Sequence, residues 1–346
     1  MDRTRLGRGL ALAASSTLLL VGCTTVGAGS GDSAGGGDAA PEDMVMVTVV
    51  KAQTIPWFQR MAVGVQEFAD ETGIDARQEG ADDVSPEKQV AIIQDLIAQG
   101  PTAITVVPNS PEALSSVLAQ AREQGIIVVS HEATGIENVD IDIEAFDNAS
   151  YGAEIMDNLA ECTGGEGEYV QFVGGLTAKT HMEWVEAGYQ NQLENYPGMT
   201  RVETPIESTD NQETAYERAK EILAKYPNIA GFQGSAGNDV PGIGRAVQEA
   251  GLEDEVCVMG TSIPSVANQY LADGSIDKIF FWDPALAGKA QLEIARILAE
   301  GGEIEEGTDL GIEGYTSLKK LEGYDNVFVG DASVAADAET AAQYDF

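Results

Sequence analysis

Apolar and polar positions alternate regularly along this chain from Met44 onward. The run MVMVTVV is apolar almost throughout and predicts a buried strand. From Trp57 to Thr72 the apolar positions recur at helical spacing. A short strand is predicted near Asp75–Gln78, a helix near Ser85–Gln99, a strand at AITVV, a helix over Pro111–Gln124 and a strand at IIVVS. Pro111 at the start of its helix and Gly125 just past its end are ordinary boundary signals. Strand starts fall roughly 25–30 residues apart, the length of a βαβ unit, which predicts a parallel, doubly wound α/β sheet.

A second series begins after Asn148. EYVQFVGG predicts a strand, Lys179–Tyr196 a helix, MTRVETPI a strand and Gln212–Tyr226 a helix. IAGFQG, a helix to Ala250, VCVMG, a helix near Pro264–Ala272 and DKIFFW follow. Within it, IAGFQGSAGNDVPGIGRAVQEAG repeats the layout of ITVVPNSPEALSSVLAQAREQG: strand, polar loop, helix, terminal Gly. Two similar lobes are therefore expected, each a doubly wound parallel sheet, joined by a hinge. The final helix, Ala285–Glu300, and the tail through EGYDNVFVG have no lobe of their own and cross back between the two. The expected division is 44–147 plus 284–309 for one lobe and 148–283 plus 310–346 for the other.

The N-terminal segment breaks the pattern. Arg3, Arg5 and Arg8 precede the apolar run LALAASSTLLLVG, which is too short for a permanent bilayer span and ends at Cys23. This resembles a lipoprotein signal over residues 1–23 in which Cys23 is lipidated; an ordinary secretory signal with an incidental Cys is the alternative. The Gly/Ala/Ser/Asp-rich tract 24–43 predicts a flexible tether. The expected location is outside the cell membrane, attached to it only by lipid.

Charge narrows the partners. With 19 basic against 57 acidic residues and a formal net charge of -38, the chain lacks the Lys/Arg clusters that nucleic acid or an anionic lipid surface would need. Cys162 and Cys257 remain after export; Cys257 sits in the apolar run VCVMG, which favours two buried free thiols over the disulfide that the compartment permits. Neither lies in a C-x-x-C pair, which argues against a thiol redox motif or a Cys-rich zinc site.

In open α/β sheets ligands bind at the carboxyl ends of strands, so a cleft between two such lobes is the expected site. Loops there carry Lys51, Gln53, Trp57, Phe58, Asn109, His131, Glu132, Lys179, His181, Trp184, Ser235, Asn238, Asp239, Trp282 and Asp283. Aromatic faces cover the C–H face of a sugar while fixed polar groups take its hydroxyls. Trp57, Phe58 and Trp184 fit a core role equally well, Trp282 can pack at a hinge, and Asp283 before Pro284 can simply cap a helix. Lys51 is expected to contact ligand with little effect on unliganded stability. The catalytic motifs are missing: no phosphate-binding G-x-x-x-x-G-K-[ST] loop, no G-x-S-x-G elbow, and two histidines without H-E-x-x-H spacing. His131-Glu132 suits hydrogen bonding better than metal binding. Neither a cofactor, a metal nor an enzymatic reaction is nominated.

The stretches VVKAQTIPWFQRMAVGVQEFA, VVSHEA, EAFDNASYGAEIMD, EWVEAGYQ, GSAGNDVPG, GTSIPSV, FFWDPALAG and the terminal QYDF carry a resemblance. Over nearly all of Val45–Phe346 the chain is similar to the type I periplasmic binding proteins of ABC importers, in the branch that binds autoinducer-2 and rhamnose. The resemblance implies a monomeric receptor that closes on a small sugar-like ligand and delivers it to a permease and its ATPase. A receptor that signals to a membrane sensor, or less readily a sugar-modifying enzyme, is the alternative. Lys51 matches a family Lys, and Trp57 and Phe58 an aromatic pair. Glu132 stands where autoinducer-2 binders have Asp and His131 where they have Trp. Thr180 and His181 take the place of an Asp-Gln pair, and Ser235 and Gly237 replace a Pro and an Ala. Asn238 and Asp239 resemble the Asn-Asp of ribose-type proteins, and Asp283 matches a Trp-Asp pair at the lobe crossover. The implied ligand is a pentose, deoxyhexose, small polyol or autoinducer-2.

Overall fold

The computed structural model describes residues 41–346; the signal segment, Cys23 and most of the tether lie outside it. The first series folds as β1 (Val45–Val50), α1 (Pro56–Thr72), β2 (Asp75–Gly80), α2 (Pro86–Gln99), β3 (Ala103–Val106), α3 (Pro111–Glu123), β4 (Ile127–His131) and β5 (Ile141–Glu144). The second follows as α4 (Asn148–Thr163), β6 (Glu166–Val173), α5 (Lys179–Asn195), β7 (Gly198–Arg201), β8 (Ile206–Glu207), α6 (Gln212–Lys225), β9 (Ile229–Gly234), α7 (Asp239–Ala250), β10 (Cys257–Thr261), α8 (Pro264–Asp273) and β11 (Lys278–Phe281). The chain ends through α9 (Pro284–Ala299), β12 (Lys319–Lys320), β13 (Val327–Val329) and β14 (Val334–Ala336).

Two sheets result, ordered β12-β13-β5-β4-β3-β1-β2 and β14-β11-β10-β9-β6-β7, with β8 also on β6. Each is parallel except where β12 meets β13 and β14 meets β11. The apolar run of β1 is explained by burial of both faces. Met46 and Val50 join one core cluster, whereas Val47 and Val49 join another with Ile93 and Leu114 of α2 and α3. Ser85 and Ser110 cap their helices, accepting from the amides of Lys88 and Ala113 at 3.2 and 3.4 Å, with Pro at the next position. Helix α9 returns to the first lobe and crosses α1 closely. A Cβ on Gly64 would stand 2.0 Å from the carbonyl oxygen of Ala285, so only glycine permits that approach.

Two expectations are corrected. The tail 310–346 does not belong wholly to the second lobe: β13 pairs with β5 in the first sheet, and only β14 joins the second. The apolar VFV run completes the exposed edge of β5, and nothing in a three-residue run tells which sheet edge it will cover. The chain thus crosses between lobes three times, at 145–147, at 282–283 and at 330–333.

The cysteines are also not free. Cys162 at the end of α4 and Cys257 at the start of β10 form a disulfide closing a separation of 95 residues. Cys257 sits at the half-buried edge of its strand rather than in the middle, which places it within reach of α4. Replacing both cysteines with Ala should destabilise the protein by about 2–4 kcal/mol, since so long a loop closure restricts the unfolded chain strongly. Equal melting temperatures of parent and double variant in calorimetry would show that the bridge contributes nothing.

Candidate functional site

The carboxyl ends of both sheets face each other and enclose a small cavity of about 20 Å³. From the first lobe come Lys51, following β1, Ile55, Trp57 and Phe58 around the start of α1, and Glu132, following β4. The second lobe contributes His181 and Trp184 from the first turns of α5, Asp210 before α6, Ser235 and Gly237 after β9, and Thr261 at the end of β10. Trp282, at a crossover, completes the wall. The cavity is far below the roughly 300 Å³ at which ordinary ligand pockets begin. These lobes are closed on each other.

Side-chain positions follow from backbone and packing. Lys51 Nζ donates to Glu132 Oε2 at 2.6 Å, the two side chains being 5% and 4% exposed, so the pair is held out of water. Glu132 takes a left-handed backbone (φ 57°), a conformation a residue with a side chain adopts at a cost. The amide of Gly174 donates to His181 Nδ1 at 3.2 Å, leaving the proton on Nε2. Burial and the Lys51 charge hold the His181 imidazole well below the usual histidine range, so it is neutral. Trp57 and Trp282 meet edge to face at 4.6 Å, and Trp184 meets Trp282 at 5.9 Å. The indole nitrogens of Trp57 and Trp282 and the hydroxyl of Ser235 are buried without a partner among the described residues. They are donors and acceptors that a ligand can satisfy. Gly237 lets the Trp57 ring approach across the cleft: a Cβ there would lie 3.3 Å from it.

Other expected site residues have different surroundings. Gln53 is exposed, its amide bonded to Ala81. His131 gives its Nδ1 proton to the Ile143 carbonyl at 2.6 Å and packs edge to face on Trp282 at 5.8 Å, behind the cavity wall. Thr180 is buried outside the lining. Asn238 donates to the Asp210 carbonyl at 2.9 Å. Asp239 accepts from the amides of Ser235 and Ala236 at 3.1 and 2.8 Å and so shapes the turn after β9. Asp283 caps α9 through the Ala285 amide at 2.8 Å and takes Arg60 in a two-pronged pair at 2.8 and 2.6 Å. Its place is the hinge, not the cavity. There the Arg60 guanidinium also covers the ring of Phe346 at 4.4 Å, while Phe346 accepts from the Ser265 amide, so the QYDF terminus is fastened at a crossover.

Ile55, Asp210 and Thr261 went unnoticed in the sequence. The rule that singles out loops after strands covers Asp210 and Thr261 equally well; Ile55 is an ordinary apolar residue with no chemical signature. A wider surface groove of about 1190 Å³ lies beside the crossovers, flanked by Thr134, Phe146, Asn148, Glu183 and Tyr324. It is solvent-open and lacks the facing tryptophans of the closed cleft.

Comparison with known proteins agrees with this geometry. Residues 46–303 match the family model described as periplasmic binding protein domain. A D-xylose-binding periplasmic protein of Haemophilus influenzae is 24% identical over 244 residues, 68% of this chain and 70% of that protein. Among solved structures, LsrB from Clostridium saccharobutylicum in complex with AI-2 superposes with a TM-score of 0.80 at 18% identity, covering 88% of this chain and all of that one. An ABC transporter solute binding protein from Clostridium phytofermentas with bound L-rhamnose gives 0.80 at 20% identity, over 87% and 99%. The matched proteins are binders, and this chain is a binding protein rather than an enzyme.

Proposed function

We propose that this chain, which belongs to the periplasmic binding protein domain family, captures a small neutral hydroxylated solute between its lobes and delivers it to a membrane permease driven by an ATPase. The candidates are a pentose, a deoxyhexose, a small polyol or autoinducer-2. The observation that carries the reading is the closed cleft itself. Three tryptophans and a set of unpartnered buried polar atoms converge there from both lobes. Tryptophan faces suit C–H surfaces, and the unpartnered groups suit hydroxyls.

The mechanism follows from three crossovers and a cavity too small to admit a sugar while shut. The lobes must part to load, and a solute touching both of them favours their return. Lys51 and Glu132 serve from one side, His181 and Ser235 from the other. The protein acts as a monomer, exported and tethered through lipidated Cys23. Replacing Cys23 with Ser is expected to move it from the membrane fraction to the soluble exported fraction.

The test is a thermal-shift screen over D-xylose, D-ribose, L-rhamnose, xylitol and autoinducer-2, followed by small-angle scattering with the solute that stabilises. A solute at 100 times its Kd adds about 2.7 kcal/mol, readily measured. The radius of gyration should contract on adding it. A protein stabilised by none of these, or one whose dimensions are the same with and without a stabilising solute, would overturn capture by closure.

A further inference from the structure

We infer that Asp210 is the second lobe's acceptor for solute hydroxyls and the residue that turns anionic solutes away; the inference rests on the capture function proposed above. Asp210 stands between β8 and α6, where Thr209 and Asp210 both take left-handed backbone, φ 56° and 53°. Two adjacent non-glycine residues in that region are costly, and such strain concentrates at functional sites. The turn is fastened at both ends of Asp210. Its amide donates to Ser208 Oγ at 3.2 Å, and its carbonyl accepts from Asn238 Nδ2 at 2.9 Å. The backbone being satisfied, the carboxylate is left on the cavity wall. Its Oδ2 would lie 3.0 Å from a Cβ on Gly174, so a glycine leaves room for it there. Among the described residues neither carboxylate oxygen accepts a hydrogen bond.

The charges around it decide what it can recognise. Lys51 at the end of β1 faces it but is already committed to Glu132, at the end of β4, at 2.6 Å. His181 on α5 is neutral, and Asp239 on α7, its carboxyl pushed up to about 7 by burial, supplies no positive charge. Desolvation pushes the Asp210 carboxyl up to about 6, opposed by Lys51, so at neutral pH it is mostly ionised. The cleft therefore offers an unused anionic acceptor and no uncommitted cation among its lining residues. A hydroxyl donates to such a carboxylate in a charge-assisted bond. A sugar acid or sugar phosphate meets like charge without compensation, and repulsion of this kind discriminates as effectively as attraction.

The experiment compares the parent with Asp210→Asn by calorimetry, using D-xylose, xylitol and D-xylonate as probes at pH 7.5. The parent should bind D-xylose or xylitol and exclude D-xylonate. The variant should bind the neutral solute at least about tenfold more weakly and lose its discrimination against D-xylonate. Its melting temperature without solute should not fall, because the exchange removes a desolvated charge. A variant that binds the neutral solute as the parent does, or that melts lower while still excluding D-xylonate, overturns the role of Asp210 and leaves the capture function standing. A parent that binds neither neutral probe and is not stabilised in the sugar screen overturns the capture function and Asp210's role together.

Discussion

Replacing Lys51 with Met should destabilise the closed form of the protein by about 3–5 kcal/mol, as well as abolish capture. The sequence alone suggests a strand-end lysine reserved for ligand, whose loss would leave the empty protein unaffected. The structure changes that expectation, because Lys51 is nearly inaccessible and its amine is 2.6 Å from an equally buried carboxylate. Removing one member of a buried ion pair leaves the other desolvated and uncompensated, and this is among the few changes that cost several kcal/mol. Glu132 would then face Asp210 across the cavity with no cation between them. The double variant Lys51→Met, Glu132→Leu should recover most of the lost stability, since replacing both charges by apolar groups is often neutral. It should not recover solute binding. Chemical denaturation of the three proteins separates the contributions. A single variant within about 1 kcal/mol of the parent would mean that the pair does not form in solution.

How much of this was legible beforehand depends on which residues are considered. The βα alternation was readable because β1 is apolar but for Thr48, and because α1–α3 carry Pro at the start and Gly at or just past the end, with a Ser cap on α2 and α3, signals that act locally. The cleft was readable because its loops follow strands: Lys51, Trp57, Phe58, Glu132, His181, Ser235 and Gly237 all line the cavity. What failed required knowledge of partners distant in sequence. Asp283 looked equally suited to a ligand or a helix cap, and its pairing with Arg60 spans 223 residues. His131 looked like a cleft group until its Nδ1 found the Ile143 carbonyl on the neighbouring strand. Asp239 resembled a ligand-binding Asn-Asp pair, yet it serves the backbone three and four residues before it. The disulfide depended on α4 packing beside β10, which no periodicity near Cys257 announces.

Thermal stability should rise as the pH is lowered from 8 to about 6, the reverse of ordinary acid sensitivity. Asp142 and Glu144, at alternate positions of β5, are both buried, and Ser130 donates to Asp142 at 2.5 Å. Burial pushes Asp142 up to about 7, and burial with the neighbouring Asp142 charge holds Glu144 well above the usual carboxylate range. Asp239, buried behind the cleft, is likewise pushed up to about 7 by desolvation. A carboxyl whose pKa is higher in the folded than in the unfolded protein binds more protons when folded. Protonation therefore favours folding, and stability declines as pH rises through that raised value. The two histidines oppose this over the same range: an unfolded imidazole is half protonated at about pH 6.5, whereas burial keeps His131 and His181 neutral in the folded protein. The two carboxyls near 7 contribute about 2–3 kcal/mol between pH 8 and 6 and the two histidines take back about 1.5 kcal/mol, leaving a net rise of about 1 kcal/mol, or roughly 2 °C in Tm for a domain of this size. Asp142→Asn should keep the fold, because an amide oxygen still accepts from Ser130, and should flatten the profile. Calorimetry at constant ionic strength gives the answer. A Tm that falls steadily from pH 8 to 6 in the parent, or a profile unaltered by Asp142→Asn, would show that these carboxyls are ionised in the folded protein at neutral pH.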